Sequence, residues 1–129
     1  MLKIEMTAKD RKESPVYSGV LKYFPDAMIE VSKCSYKGQQ QHNPDKPLAW
    51  DRSKSGDELD ALARHLLQAG TLDSDGIRHS AKVCWRALAN LQKEIERDSF
   101  KIQVNNPNQV DIFEAIKDIT DDYENKSNK

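Results

Sequence analysis

The sequence predicts an all-α protein, a small helical bundle that forms oligomers and carries a short C-terminal appendage. Residues 25–38, 57–70 and 77–98 each place apolar side chains at steps of three and four, the periodicity of an amphipathic helix. Proline, serine or aspartate stands near each start, and glycine is the last residue of the first two stretches, as is typical of helix boundaries. Helices of this kind joined by loops favour a bundle over a sheet-based fold.

The composition predicts one compact, soluble domain. The chain has 129 residues, of which 37% are hydrophobic and 32% charged, so its core is small and assembly into a homodimer or homotetramer is expected. A net charge of −1 argues against nucleic acid or an anionic membrane as partners. The sequence has no signal-peptide-like N-terminus and no apolar run of about 18 residues, so we expect a cytoplasmic protein. Cys34 and Cys84 are then expected to be reduced thiols within helices.

The first predicted helix begins at Pro25 and ends at Gly38. It is followed by residues 39–56, where prolines, amides and hydroxyl side chains occur without periodicity. We therefore predict a loop there, and a structured loop of this length tends to carry function. The apolar stripe of the helix is predicted to be Ala27, Met28, Val31 and Cys34 or Ser35.

The second and third predicted helices flank the turn "TLDSDG". Ser55 or Asp57 can cap the second helix and Gly70 ends it, while Asp73 or Asp75 can cap the third. The predicted buried stripe of the second helix is Leu59, Leu62, Ala63, Leu66 and Ala69. The apolar face of the third is predicted to be Ala81, Cys84, Trp85, Leu88, Leu91 and Ile95, with Arg78, His79, Lys82, Arg86, Asn90 and Lys93 on the opposite face.

The chain is predicted to have three parts. Residues 1–14 are charged and aperiodic and are expected to be a flexible arm. Residues 15–98 are expected to form the helical domain. Residues 99–129 are predicted to be an extension with a short extended segment, "SFKIQV", followed by a helix in "VDIFEAIKDITDDYE".

Carboxylates on two predicted helices could share a divalent ion. Asp57 and Asp60 are three residues apart on one helix, and Glu30 lies on the preceding helix. If those helices pack antiparallel, the three carboxylates can converge, and oxygen ligands of this kind suit Mg²⁺ or Mn²⁺. The alternative is that Asp57 caps its helix while Asp60 and Glu30 are solvated.

Two histidines and several cations surround the "TLDSDG" turn. His65 lies at the border of its apolar stripe and His79 near Asp75, so each histidine is either a structural hydrogen-bond partner or part of a site. Carboxylates beside cations are the combination that a nucleoside triphosphate requires, although each cation also fits an ordinary solvated helix face. The cations in question are Lys37, Lys54, Arg64, Arg78, Lys82 and Arg86.

Several motifs in order carry a resemblance to a known family. The segments "EVSKCSYKG", "HNPDKPLAWDRSKSGD", "ARHLL" and "DSDGIRHSAKVCWRALANLQ" resemble the small phage dATP/dGTP diphosphohydrolases, the MazZ-type branch of the MazG-like all-α pyrophosphohydrolases. The resemblance covers about residues 17–96, and residues 99–129 lie outside it.

The resemblance implies a MazG-like oligomeric bundle and a metal-dependent reaction. A purine deoxynucleoside triphosphate, dGTP or dATP, would be split to the monophosphate and pyrophosphate, with Mg²⁺ or Mn²⁺ as cofactor. In the dGTP-directed branch the dGMP feeds synthesis of 2-aminoadenine nucleotides for a modified phage genome, in the host cytoplasm. The family pattern has two acidic pairs. Here the second corresponds to Asp57 and Asp60, whereas Ala27 stands in place of the first glutamate and Glu30 remains.

On this basis Glu30, Asp57 and Asp60 are the expected catalytic and metal-holding carboxylates, and Asp75 is a further metal ligand; Asp73 or His79 could also complete the ligand set. Replacing Asp57 or Asp60 with asparagine is expected to abolish turnover while leaving the helical content intact. The expected substrate-binding residues are Lys37, Asn43, Trp50, Arg64, His65, His79, Lys82 and Arg86.

Two roles without catalysis remain open. The reduced first acidic pair is compatible with a nucleotide-binding sensor that does not hydrolyse its ligand. A small helical phage protein could instead bind a host factor through a basic face made of Arg78, Lys82, Arg86 and Lys93. Trp50 could likewise stack on a purine or simply plug its loop onto the core.

Overall fold

The computed structural model describes residues 5–104, with side chains to residue 101, and the regular secondary structure in that range is helical. An isolated antiparallel bridge between Leu72 and Arg78 is the only β-type pairing in that range. The prediction of an all-α protein is therefore confirmed. The helices are α1 (Ala8–Lys12), α2 (Pro25–His42), α3 (Glu58–Leu66) and α4 (His79–Val104), with a π-helical turn at Tyr17–Leu21 and a 3₁₀ turn at Arg52–Lys54.

The chain divides into two units. One comprises Glu5–Gln92 and the other comprises Met1–Ile4 and Lys93–Lys129. All contacts described below lie within Glu5–Gln92. The helix predicted in "VDIFEAIKDITDDYE" lies outside the described residues, and the predicted three-part organisation stays a prediction.

Helix α2 is longer than predicted. Pro25 occupies its first turn, as expected, but the helix runs past Gly38 to His42, so the prediction that Gly38 ends it is wrong. The side-chain amide of Gln39 donates hydrogen bonds to the Asn43 and Lys46 carbonyl oxygens, at 2.5 and 3.0 Å. These bonds give polar partners to the backbone just beyond the helix, which allows the additional turn to form.

Helix α4 is also longer than predicted. It continues to Val104, so residues 99–104 are helical and the extended segment predicted there is wrong. No glycine or proline interrupts residues 77–106, and nothing in the sequence therefore breaks the helical hydrogen-bond ladder. Near the other end of the chain, residues predicted as an arm include α1, whose N-terminus carries a capping box between Thr7 and Asp10.

The buried face of α3 differs from the predicted stripe. Ala61 is 3% exposed, whereas Leu59 and Leu66, expected in the core, are 61% and 56% exposed. The inward face instead includes the buried Glu58 and the partly buried His65, because these polar side chains find partners on α4. The buried hydrophobic residues in the described range are Val31, Ala61, Ile77, Ala81 and Ala89.

Small side chains dominate this core, so the helices can approach closely but bury little apolar area. None of the described helices is both long enough and apolar enough to cross a membrane.

Replacing Ile77 with alanine tests whether this residue belongs to the buried hydrophobic core. Ile77 is 2% exposed, and its truncation is expected to lower the free energy of unfolding by about 2–5 kcal/mol through lost burial and a residual cavity. Urea unfolding followed by circular dichroism measures this. Leu67→Ala is the control, because Leu67 is 89% exposed and its truncation should change stability by about 0.5 kcal/mol or less. Equal effects of the two substitutions would contradict the assignment of the core.

Candidate functional site

A cavity of about 460 Å³ lies among α2, the loop that follows it, and the first turns of α4; we call it the tryptophan cavity. Trp50 from the loop and Trp85 from α4 both line it. Four cationic side chains also line it, namely Lys37, Lys54, Lys82 and Arg86. The cavity therefore combines aromatic surface with positive charge.

The two tryptophans fix one wall of this cavity. Their rings meet edge to face with centroids 5.7 Å apart, a favoured aromatic arrangement. The Trp85 indole N–H donates a hydrogen bond to Ser35 Oγ at 2.9 Å, which ties α4 to α2. The Arg52 guanidinium lies 4.1 Å from the centre of the Trp50 ring and makes a cation–π contact. Trp50 thus packs against the core and also faces the cavity.

The loop between α2 and α3 is held by polar contacts. Gln39 Oε1 accepts a hydrogen bond from the Ala49 amide at 3.3 Å, next to Trp50. Arg86 Nη1 donates to Ser55 Oγ at 2.9 Å, and it lies 3.9 Å from the buried carboxylate of Glu58. These contacts explain how a loop without an apolar stripe keeps a defined shape.

The turn before α4 is organised by one lysine. Lys82 Nζ donates hydrogen bonds to Asp73 Oδ2 at 2.6 Å and to Asp75 Oδ2 at 2.8 Å. Gly76, between these carboxylates and α4, has a φ of +82°, a left-handed conformation that glycine adopts without strain. Asp75 Oδ1 also accepts the Ile77 amide at 3.0 Å. We call this arrangement of Lys82, Asp73 and Asp75 the lysine clamp.

The clamp keeps its three groups charged at neutral pH. Hydrogen bonding to Lys82 lowers the pKa of Asp73 to about 2. Partial burial raises the pKa of Asp75, but its bonds to Lys82 and to the Ile77 amide outweigh this and leave the pKa below its ordinary value. Burial lowers the pKa of Lys82, and the two carboxylates more than compensate, so it remains protonated.

His65 and His79 meet beside the clamp. Their Nδ1 atoms lie 2.9 Å apart, at hydrogen-bond distance, which brings α3 and the start of α4 together. His79 is 4% exposed, while His65 lines the tryptophan cavity. Burial, with the nearby Lys82 charge, lowers the pKa of His65, so its imidazole is neutral at pH 7. We call these two residues the histidine pair.

The histidine pair and Asp73 form a potential ligand group for a metal. One ligand atom from each of His65, Asp73 and His79 lies within 4.8 Å of the others. Among the described residues this is the only group of three or more histidine, cysteine or acidic side chains so arranged. Its two nitrogens and one carboxylate oxygen differ from the set expected from the family resemblance, which is built on the carboxylates of Glu30, Asp57 and Asp60.

The three carboxylates expected to share a metal are not gathered in such a group. Glu30 lines a different cavity, of about 580 Å³, and its bond to Lys33 at 2.6 Å lowers its pKa. Asp57 is exposed and bonds Arg64 Nη2 at 3.1 Å, which lowers its pKa as well. Asp60 is exposed. Asp75, the fourth expected ligand, does line the tryptophan cavity.

Most of the expected substrate-binding side chains line the tryptophan cavity. They are Lys37, Asn43, Trp50, His65, Lys82 and Arg86. Arg64 instead pairs with Asp57, and His79 lies behind His65 in the histidine pair.

From the sequence, Trp85 is expected on an apolar face, and Glu58 has no expected role. Trp85 follows Lys82 by three residues, and Glu58 precedes His65 by seven. Each spacing makes the two side chains neighbours along a helix surface, and this is the signal that could have pointed to Trp85 and Glu58.

Comparison of the chain with models of protein families, with curated proteins and with solved structures finds no match in any of the three. The family resemblance therefore rests on the sequence motifs alone.

The lysine clamp predicts an acid-dependent contribution to stability. The pKa of aspartate in an unfolded chain is about 3.9, so the Asp73–Lys82 interaction contributes its full stabilisation above that pH. It is lost as the pH falls toward the folded pKa of about 2. In Lys82→Met, carboxyl ¹³C NMR titration should show the pKa of Asp73 moving up toward its ordinary value.

Lys33→Met is the matched control for this titration, since it removes the partner of Glu30 and should leave Asp73 unchanged. An Asp73 titration that is the same with and without Lys82 would refute the clamp.

Proposed function

We propose that the protein is a pyrophosphohydrolase that binds a purine deoxynucleoside triphosphate, dGTP or dATP, in the tryptophan cavity and releases the monophosphate and pyrophosphate. The observation that carries this proposal is the wall of that cavity, where four cations lie beside two tryptophan rings. Its volume of about 460 Å³ lies within the range of about 300–1,000 Å³ that is usual for small-molecule sites. A nucleotide has a planar base, which can contact the indole rings, and a charged phosphate chain, which can contact the cations.

The cations are suited to the triphosphate. Among the residues that the structure describes, Lys37 is exposed and forms no ion pair, so its charge is available to a ligand. Lys82 and Arg86 are held in place by Asp75 and Ser55, which reduces the conformational entropy lost when they bind phosphate. Positive charge fixed before the substrate arrives is the arrangement that stabilises charge developing on a phosphoryl group.

The tryptophans and the loop are suited to the base. A purine can stack on an indole ring or meet its edge, and Asn43 presents both a donor and an acceptor to the edge of the base. Asn43 follows directly on α2 and lines the same cavity as Trp50. The position of Asn43 beside Trp50 supports a nucleotide ligand. We expect the loop between α2 and α3 to determine whether dGTP or dATP is preferred.

The proposed reaction is hydrolysis at the α-phosphorus. The oxygen of a water molecule bonds to the α-phosphorus, and the proton that this water loses passes to solvent. The bond from that phosphorus to the bridging oxygen breaks, and pyrophosphate leaves with that oxygen. Lys82 and Arg86 neutralise the charge on the phosphoryl oxygens. Asp75, the carboxylate of the clamp that lines the cavity, orients the water.

Mg²⁺, or Mn²⁺ in its place, enters this proposal as part of the substrate, which it accompanies as a complex with the triphosphate. The carboxylates expected to hold an ion, Glu30, Asp57 and Asp60, form no common ligand group within the described part of the chain. They therefore do not fit a resident Mg²⁺, and no step is assigned to one. Formation of dGMP for 2-aminoadenine nucleotide synthesis follows from the family resemblance.

A nucleotide-binding sensor is the second candidate. The carboxylates of Glu30, Asp57 and Asp60 form no common ligand group among the described residues. This argues against a resident magnesium ion and favours a protein that binds a nucleotide without hydrolysing it. A host-factor surface built on the basic face is less well supported, because Lys82 and Arg86 are only 19% and 29% exposed and bond to residues of the chain itself.

Product analysis separates the enzyme from the sensor. The purified chain is incubated with Mg²⁺ and each of the four deoxynucleoside triphosphates, and the products are resolved by ion-exchange chromatography. We expect dGTP or dATP to yield monophosphate and pyrophosphate. Survival of every triphosphate, with Mn²⁺ also tried, would rule out the hydrolase. In that case thermal stabilisation by a purine triphosphate would identify the sensor.

Lys37→Met tests whether the cavity is the site of turnover. Loss of a charged contact to phosphate is expected to lower kcat/KM about 10- to 100-fold. Lys9→Met is the matched control, because Lys9 lies on α1 and pairs with Glu13 at the surface. Equal activity of the two variants would place the reaction elsewhere. The same assay on Asp60→Asn decides whether that carboxylate is needed.

A further inference from the structure

We infer that His65, Asp73 and His79 bind one first-row transition-metal ion of the Zn²⁺ type, in preference to Mg²⁺. The inference does not rest on hydrolysis of a nucleotide, because it concerns the ion alone. It also differs in its chemistry from the magnesium site implied by the family resemblance, and it contains none of the three carboxylates, Glu30, Asp57 and Asp60, on which that site is built.

The distances between the ligand atoms are close to those of a coordinated ion. The two Nδ1 atoms are 2.9 Å apart, and the ligand atoms of all three residues lie within 4.8 Å. With metal–ligand bonds of about 2.0–2.2 Å, neighbouring ligand atoms stand about 3 Å apart in octahedral geometry and about 3.5 Å apart in tetrahedral geometry. A side-chain rotation that draws the carboxylate inward therefore completes the set.

The identity of the ligands selects the class of ion. Imidazole nitrogen is a borderline-soft ligand that suits Zn²⁺, Co²⁺ and similar ions, and two imidazoles with one carboxylate recur in such sites. Mg²⁺ requires oxygen ligands in near-ideal octahedral geometry, which the histidine pair does not supply.

The backbone holds the ligands in place before any ion arrives. His79 begins α4, and its amide donates to the Thr71 carbonyl at 3.1 Å. The Asp73 amide donates to the Ile77 carbonyl at 2.8 Å, and the Asp73 carbonyl accepts the Gly76 amide at 2.9 Å. Asp73 and His79 thus lie in a turn whose backbone is held by hydrogen bonds. Binding an ion therefore costs little backbone conformational entropy.

The exposure of the three residues leaves a route for the ion. His79 is buried, but His65 and Asp73 are partly exposed, and His65 lines the tryptophan cavity. An ion held by three protein ligands keeps open positions, which water or a ligand in the cavity can fill.

The Lys82 charge opposes the ion but does not block it. Its ammonium shares Asp73 Oδ2, at 2.6 Å, and also has Asp75 Oδ2 at 2.8 Å. Lys82 can therefore stay paired with Asp75 when Asp73 turns to a metal.

Cobalt titration of the full chain tests the inference directly. Cys34→Ser/Cys84→Ser is used as the background, since both cysteines are free thiols that can also bind soft ions. We expect one Co²⁺ per chain, with visible d–d absorption, displaced by Zn²⁺ and unaffected by excess Mg²⁺. His65→Gln and Asp73→Asn should each weaken binding at least about tenfold, whereas His42→Gln, which alters the remaining histidine outside the group, should not.

A second measurement on the unmodified chain covers variants that fail to fold. Zn²⁺ should shift the imidazole ¹⁵N resonances of His65 and His79 and leave those of His42 in place. The inference is overturned if no ion binds stoichiometrically, if His42→Gln removes binding, or if Mg²⁺ competes equally. It is also overturned if the His65 and Asp73 variants bind as the parent does, which would make the histidine pair a hydrogen bond without an ion.

Discussion

The Lys82 side chain is only 19% exposed, and a charge on a side chain so placed is costly unless it is paired and hydrogen-bonded. Its partners, Asp73 and Asp75, both belong to the turn between α3 and α4, so satisfying one lysine of α4 fixes the conformation of that turn. The conformation of this turn determines where α4 begins and brings His79 against His65. The lysine clamp is thus the interaction on which the geometry of the site depends.

The clamp also connects the two functional proposals. On one side Lys82 and Asp75 line the tryptophan cavity, where positive charge and indole rings favour a nucleotide. On the other side Asp73 stands with the histidine pair in a group suited to a transition-metal ion. Each proposal uses a different carboxylate of the clamp, so either can fail without the other. An ion held there would nevertheless lie next to the cavity, because His65 belongs to both.

The sequence was informative where local rules act and misleading where long-range contacts decide. Periodicity located the three long helices, and the substrate-binding residues expected from the family resemblance include Lys37, Trp50, Lys82 and Arg86, which line one cavity. The stripe of α3 was misassigned because partners on α4 draw polar Glu58 and His65 inward, a choice that hydrophobicity cannot reveal. Pairing of His65 with His79 depends on the fold of the turn, and no short motif encodes it.

The most direct test of the proposed site uses intrinsic fluorescence. The chain has two tryptophans, and both line the cavity, so their emission reports ligand binding there without any label. Titration with a non-hydrolysable dGTP or dATP analogue should give a saturable change that Trp50→Phe diminishes and Lys37→Met shifts to higher concentration. Emission that stays constant up to millimolar analogue, in a chain shown to be folded, would contradict nucleotide binding in the tryptophan cavity.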